Sequence, residues 1–327
     1  MGVHVLIKIL LVFFVTAFFA YSYIILGLVG NPEIVPAHYP NWVGSLSCNT
    51  KLCDIVFPGT HDSLAYCTAN IRREYNTSSK NNLFNRVRKL RWLPGLGYKI
   101  TRWSRAHRID IKTQLSRGIR CFDMRVALGI DSISYGEHTF TFDNFQTALL
   151  DIKKFIQNNP KEILIIRYTS TSAVCDNLLL RHLEASILPK VTNVTELTLG
   201  QFYARCINIV ITSNSTSEKL SKYIQSDLVY HDWKNTFDIE EKREYITSSL
   251  KDFRNPAQFF NLDWTVTPQE IDFVLSYSNL IHSSANMNSQ LSEFLVMIRE
   301  HGHKIGIISV DASESLDLIS IINNQNK

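Results

Sequence analysis

Residues 162–168 read EILIIRY, a continuous apolar run closed by an arginine and a tyrosine. A strand with one wetted face alternates apolar and polar residues, whereas a strand covered on both faces does not. Two further runs have the same character, CINIVIT at 206–212 and KIGIISV at 304–310. Strand-like segments recur at 53–57, 119–125, 131–135, 227–231 and 257–262. Amphipathic stretches separate them, at 143–158, 176–187, 196–204, 215–225, 239–252, 268–279, 287–300 and 313–323. Eight strands alternating with helices over about 280 residues predict a single α/β barrel of the TIM (β/α)8 type. A doubly wound open sheet is the alternative, and the absence of both a G-x-G-x-x-G turn and a P-loop weighs against it.

In such a barrel, chemistry gathers where strands end. Residues 53–63, CDIVFPGTHDS, carry an apolar run into Pro-Gly and then present His61, Asp62 and Ser63. Taken alone, these three could cap a helix, since Asp and Ser are good N-caps. The second strand, RGIRCFDMRV, sets Asp123 and Arg125 two apart and so on one face. The third ends in Glu137 and His138, the seventh in Asp263 and Trp264, and the eighth in Asp311. Asp123 with Arg125 could be a structural ion pair, and Asp311-Ala312-Ser313 could cap the last helix. Their joint occurrence at several strand ends favours a site.

PGTHDS at 58–63 and IDIKTQLSRGIRCFDMRV at 109–126 resemble the X-domain of the phosphatidylinositol-specific phospholipase C family, above all its bacterial-type and X-domain-only members. The resemblance runs over about residues 45–315 and extends to NNPKEILIIRY, LDWTVTPQ and KIGIISVD. It implies a distorted TIM barrel and a His-based cleavage of phosphatidylinositol, or of a glycosylphosphatidylinositol lipid, to cyclic inositol phosphate and diacylglycerol. In that scheme His61 is the general base, Asp311 orients it, a second His assisted by Asp62 is the general acid, and Arg125 stabilises charge on the phosphate. Calcium-dependent members carry two carboxylates on the second strand and an Asn after the first His. Arg125 and Asp62 stand at those places, so catalysis without metal or other cofactor is expected.

The acid has two candidate positions. Counting back without gaps from NNPKEIL puts Gly136 where the family has its second His, and a two-residue shift in the loop puts His138 there. His138 is the preferred acid; Glu137 or a degenerate, lipid-binding barrel are the alternatives. Asp123, Arg167 and Trp264 are candidate substrate contacts.

Residues 72–108 hold eleven Lys/Arg and one acidic residue, Glu74, interleaved with aromatic and aliphatic side chains. This insert between the first two strands falls on the catalytic rim, where Trp92 and Trp103 are expected to meet an anionic membrane surface. The net charge of +4 does not make the chain a polycation, so nucleic acid is not an expected partner, nor is an obligate protein partner evident. From Ile9 to Val29 there are 21 uncharged, mostly apolar residues, which make 1–30 a hydrophobic helix, either a signal peptide or a signal anchor. Residues 31–46 then read as a linker and 47–327 as the barrel. Sequons at Asn76, Asn193 and Asn214 agree with a secretory route and an extracellular or lumenal location. Of six cysteines, Cys48, Cys53 and Cys67 cluster and are expected to pair, while Cys121 and Cys206 read as buried thiols.

Overall fold

The computed structural model describes residues 32–66, 102–129, 132–138, 140–170, 172–213, 215, 217–267 and 279–325, with a few positions between 8 and 21. The hydrophobic segment 1–30, Trp92, Cys67, Asn76, Asn214 and the helix expected at 268–279 lie wholly or almost wholly outside them. No helix among the described residues is long and apolar enough to cross a membrane.

The described residues form nine strands: β1 (Phe57–Thr60), β2 (Cys121–Leu128), β3 (Ser134–His138), β4 (Phe140–Asn144), β5 (Leu164–Ser170), β6 (Ile209–Ser213), β7 (Val229–Tyr230), β8 (Phe259–Trp264) and β9 (Ile307–Val310). Seven of them pair in parallel in the order β7-β8-β9-β1-β2-β5-β6. No pairing joins β6 to β7 among the described residues, so the barrel is nearly closed rather than complete. The strand expected at 131–135 is not a barrel stave. It is displaced into β3, which runs antiparallel to both β2 and β4 as an outlying hairpin. The strand expected at 53–57 begins only at Phe57, because Leu52–Asp54 closes into a 3-10 turn.

Strand alternation sorts the side chains into two sets. Phe122, Met124, Leu164, Ile166, Ile209, Leu262 and Ile308 point outward and pack under the helices. Phe57, Cys121, Ile163, Ile165, Val210, Phe259 and Ile307 fill the barrel axis near its base. The apolar run of β5 is the direct consequence: Leu164 and Ile166 meet helices while Ile163 and Ile165 meet the axis, and neither face meets water.

The helices are α1 (Ile111–Ser116), α2 (Phe145–Asn158), α3 (Ala173–Leu183), α4 (Leu199–Ala204), α5 (Glu218–Ser221), α6 (Ile239–Asp252), α7 (Leu280–Asn288), α8 (Leu291–Glu300) and α9 (Leu318–Gln325). Their starts follow side-chain capping. Asp110 accepts from the Thr113 N–H at the head of α1, and Thr198 with Gln201 forms a capping box on α4. Between α1 and β2 the chain reverses at Gly118 with φ +98°, where a Cβ would stand 2.6 Å from Ile319 Cγ1.

The stretch read as a linker packs across the barrel base. Tyr39 N–H bonds the Ser116 carbonyl, Trp42 Nε1 donates to the Gly118 carbonyl, and Gly44 N–H donates to Glu162 Oε1. Arg120 is the centre of this closure. It is fully buried, and its Nε donates to Glu162 Oε2 at 2.6 Å. Its two terminal nitrogens donate to the carbonyls of Leu115, Ile119, Tyr39 and Pro40. All five donors are used, as a buried guanidinium requires. Arg120→Ala leaves Glu162 buried without its cation and is expected to destabilise the protein by about 3–5 kcal/mol in denaturant unfolding.

Candidate active site

The top of the barrel axis is polar where its base is apolar. His61 follows β1, and its backbone N–H donates to the Val310 carbonyl on β9. Asp62 takes a left-handed conformation, φ 43°, and Ser63 N–H bonds the Asp123 carbonyl on β2. The turn is locked from below. Thr60 Oγ1 donates to Gln114 Oε1, and Gln114 Nε2 donates to the Ser63 carbonyl. His61, Asp62 and Ser63 therefore close a turn between two strands, and the chain's sharp bend aims His61 and Asp62 into the mouth.

The imidazole of His61 is held at both nitrogens. Nδ1 lies 3.0 Å from Asp311 Oδ1. Nε2 lies 3.0 Å from Arg125 Nη2, 3.6 Å from Asp62 Oδ2 and 4.0 Å from Asp123 Oδ2. Arg125 in turn reaches Asp62 Oδ1 through Nε at 2.9 Å and Asp123 Oδ2 through Nη2 at 3.0 Å. Asp62, Asp123 and Asp311 are buried, whereas the Arg125 side chain is 39% exposed and faces the opening. Asp311 is not a helix cap: Asp317 accepts the Ser320 N–H at the start of α9.

Opposed forces set the ionisation here. Burial works to lower the proton affinity of His61, but the carboxylates of Asp62 and Asp311 outweigh it and Arg125, raising the imidazole from 6.5 to about 9. Burial works against ionisation of Asp123, yet Arg125, Arg167 and His61 hold its carboxyl well below the usual range. The Arg125 guanidinium is raised by Asp62, against burial, with Asp123 adding to the rise. His61, Asp62 and Asp123 each place one potential ligand atom within 4.8 Å of the others, the spacing of a metal site. Both carboxylates of that group already share the Arg125 guanidinium.

Other expected residues divide. Arg167 is the register partner of Asp123 across β2 and β5 and stands on the axial face. Trp264 is not a rim platform. It follows Asp263 by one residue and therefore faces outward, fully buried, stacked on Phe294 and bonded through Nε1 to the Met287 carbonyl. Trp103 is likewise buried, at 2% exposure against Phe237, and does not present a ring to a membrane. The remainder of the basic insert up to residue 101 lies outside the described residues. Cys48 and Cys53 are free thiols, not a pair, and Cys206 is exposed rather than buried.

The hairpin carries both positions considered for the acid. Gly136 sits opposite Val126, and a Cβ on it would stand 2.5 Å from Leu64 Cβ. That position admits no side chain. His138 is the last residue of β3, which runs back along β2 from the Leu128–Ser134 pair through the Val126–Gly136 pair towards the level of Arg125. The side chains of Glu137 and His138 lie outside the described residues.

Two polar groups in the mouth were not singled out from sequence. His231 follows β7, with Nε2 3.8 Å from Asp263 Oδ2, and burial followed by Arg167 lowers its imidazole to about 4. The strand-end rule applied to 227–231 would have found it. Lys242, buried in α6, lies 4.0 Å from the same Asp263 oxygen and donates to the Lys234 carbonyl. Nothing in its helical context marks it.

No protein-family model matches the chain. A PI-PLC X-box domain-containing protein of Dictyostelium discoideum is 30% identical over 141 residues, which is 43% of this chain but only 17% of that relative's length. Human PI-PLC X domain-containing protein 2 is 22% identical over 242 residues, covering 70% of this chain and 78% of the relative. Among solved structures, the phosphatidylinositol-specific phospholipase C from Listeria monocytogenes superposes with a TM-score of 0.60 at 18% identity, covering 88% of this chain and 99% of that one. A mutant of the enzyme of the same description from Staphylococcus aureus gives 0.61 at 16% identity, over 89% and 97%. The chain is thus similar in sequence to PI-PLC X-domain-containing proteins and shares the barrel fold of the bacterial phosphatidylinositol-specific phospholipases C.

Two outcomes follow from this geometry. A His whose folded value lies above its unfolded value stabilises the fold below the unfolded value and ceases to do so above the folded one. The His61 contribution is therefore fully present below about pH 6.5 and lost as pH rises through about 9. Unfolding midpoints of wild type and His61→Gln, compared from pH 6 to pH 10, should converge towards alkaline pH. Gly136→Ala should lower the unfolding midpoint by the equivalent of about 1–3 kcal/mol, through overpacking on Leu64.

Proposed function

We propose that the protein is a phospholipase C-type phosphodiesterase that cleaves phosphatidylinositol or a glycosylphosphatidylinositol lipid without a metal ion. The observation that carries this reading is the disposition of the His61 ring. Nδ1 is engaged by Asp311, so the proton-accepting atom is Nε2, and Nε2 lies beside the Arg125 guanidinium. A phosphodiester placed on Arg125 brings a neighbouring inositol hydroxyl to Nε2.

The 2-hydroxyl gives its proton to Nε2 as its oxygen bonds to phosphorus, and the bond from phosphorus to the diacylglycerol oxygen breaks. The products are cyclic inositol phosphate and diacylglycerol. Arg125, oriented by Asp62 and Asp123, balances the charge that grows on the phosphate oxygens. The base works from the unprotonated ring, a form in which Nε2 accepts from Arg125. His138 donates the proton to the departing oxygen, with Asp62 assisting; its support is its place at the end of β3 and the exclusion of a side chain at Gly136. Asp123 and Arg167, partners in register, contact the headgroup. A guanidinium bound to both carboxylates competes with any divalent cation for them, which supports catalysis without metal. The apolar run at 9–29 and the sequon at Asn193, whose asparagine is exposed, support a secretory location.

Vesicles of phosphatidylinositol, incubated with the protein in excess chelator, should yield cyclic inositol phosphate. His61→Ala should reduce the rate by at least about 100-fold, and His138→Ala comparably. Turnover lost in chelator would remove the metal-free claim. No turnover on any inositol lipid, with binding retained, would make the barrel a lipid-binding module.

A further inference from the structure

His107 belongs to the basic insert, and nothing in its sequence context marks it, yet it is fully buried directly behind the His61–Asp311 pair. Its Nε2 lies 2.7 Å from the backbone carbonyl of His61. A carbonyl oxygen only accepts, so Nε2 carries the ring proton. Its Nδ1 then accepts, receiving the backbone N–H of Ser313 at 3.4 Å, with the Ser313 hydroxyl 3.3 Å away. Ser313 is two residues beyond Asp311. One imidazole thus spans from the main chain of His61 to the loop that carries its carboxylate partner.

The surrounding chain repeats the connection. Ala106 N–H and His107 N–H both donate to the Ala65 carbonyl on the His61 side, while the Ala106 carbonyl accepts the Ala312 N–H on the Asp311 side. Ala312 has a positive φ of 48°, a conformation that a non-glycine residue keeps only when its surroundings impose it. On the far side, Asn288 Nδ2 donates to the Asp311 carbonyl at 2.8 Å.

We propose that His107 is a positioning residue, whose two ring nitrogens fix the backbone of His61 relative to the loop of Asp311 and so set the hydrogen bond between their side chains. It touches no substrate. The requirement is for one donor and one acceptor on a single side chain, both of which a glutamine amide carries and a leucine lacks. The link to catalysis rests on the reading of His61 as general base; the link between the two backbones does not.

The test has a readout that needs no turnover. In nitrogen-15-edited NMR of the wild-type protein, His107 should show the tautomer with its proton on Nε2, and the His61 Nδ1 proton should be protected by Asp311. His107→Leu should abolish that protected proton and, on phosphatidylinositol vesicles, lower kcat by about 100-fold with KM little changed, as a small misplacement of reacting groups does. His107→Gln should restore both. A wild-type His107 protonated on Nδ1 would overturn the proposal without any variant, and so would a His61 proton unchanged in His107→Leu. Should His107→Leu fail to fold, the wild-type tautomer and His107→Gln still decide. A protein with the predicted NMR behaviour but no turnover refutes the enzymatic reading and leaves the positioning role standing.

Discussion

Three buried carboxylates gather around the imidazole of His61, and Arg125 is the fixed cation that binds two of them. Its Nε and Nη2 engage Asp62 and Asp123, which would otherwise repel each other in a poorly hydrated mouth. The consequence runs in both directions. Arg125 helps to keep Asp123 charged, and the carboxylates of Asp62 and Asp311 raise the proton affinity of His61. The rest of the fold is arranged so that this polar cluster can be buried. Strand alternation delivers Asp123 and Arg125 to one face, and the bend at Asp62 turns His61 towards them.

The barrel separates this cluster from the part of the molecule that stabilises it. Towards the base the axis is filled by Phe57, Ile163, Ile165, Phe259 and Ile307, and Arg120 ties the incoming chain to Glu162 beneath them. Charge at the base is neutralised and saturated with hydrogen bonds, so it is structural. At the mouth Arg125 keeps part of its guanidinium open to solvent, where a phosphate can approach. Two arginines five residues apart, Arg120 just before β2 and Arg125 within it, thus have different consequences: one is buried with all its donors spent, the other is partly open to solvent.

Much of this was legible in the sequence because it depends on period-two patterning. The runs around 162–168 and 304–310 placed the sheet, and Asp123-x-Arg125 placed two site residues on one face. The failures have the same physical origin. Trp264 was read as a rim residue because it ends a strand, but it is one residue out of phase with Asp263 and therefore packs under α7 and α8. Trp103 was read as interfacial from its basic neighbours, although at 2% exposure it belongs to the core. The segment at 131–135 has strand composition, but composition does not distinguish a parallel stave from an antiparallel hairpin. His107 left no pattern to detect, since its role depends on two loops more than 200 residues apart along the chain.

The hairpin follows from the same packing logic. Leu64 lies just past the turn that presents His61, and it occupies the space over Gly136. A side chain at that point of β3 would push against Leu64 and so against the His61 turn. The glycine therefore lets the hairpin lie close against the turn that follows β1. The bare backbone at Gly136 and the tightly packed His61 turn are two sides of one close approach between Gly136 and Leu64.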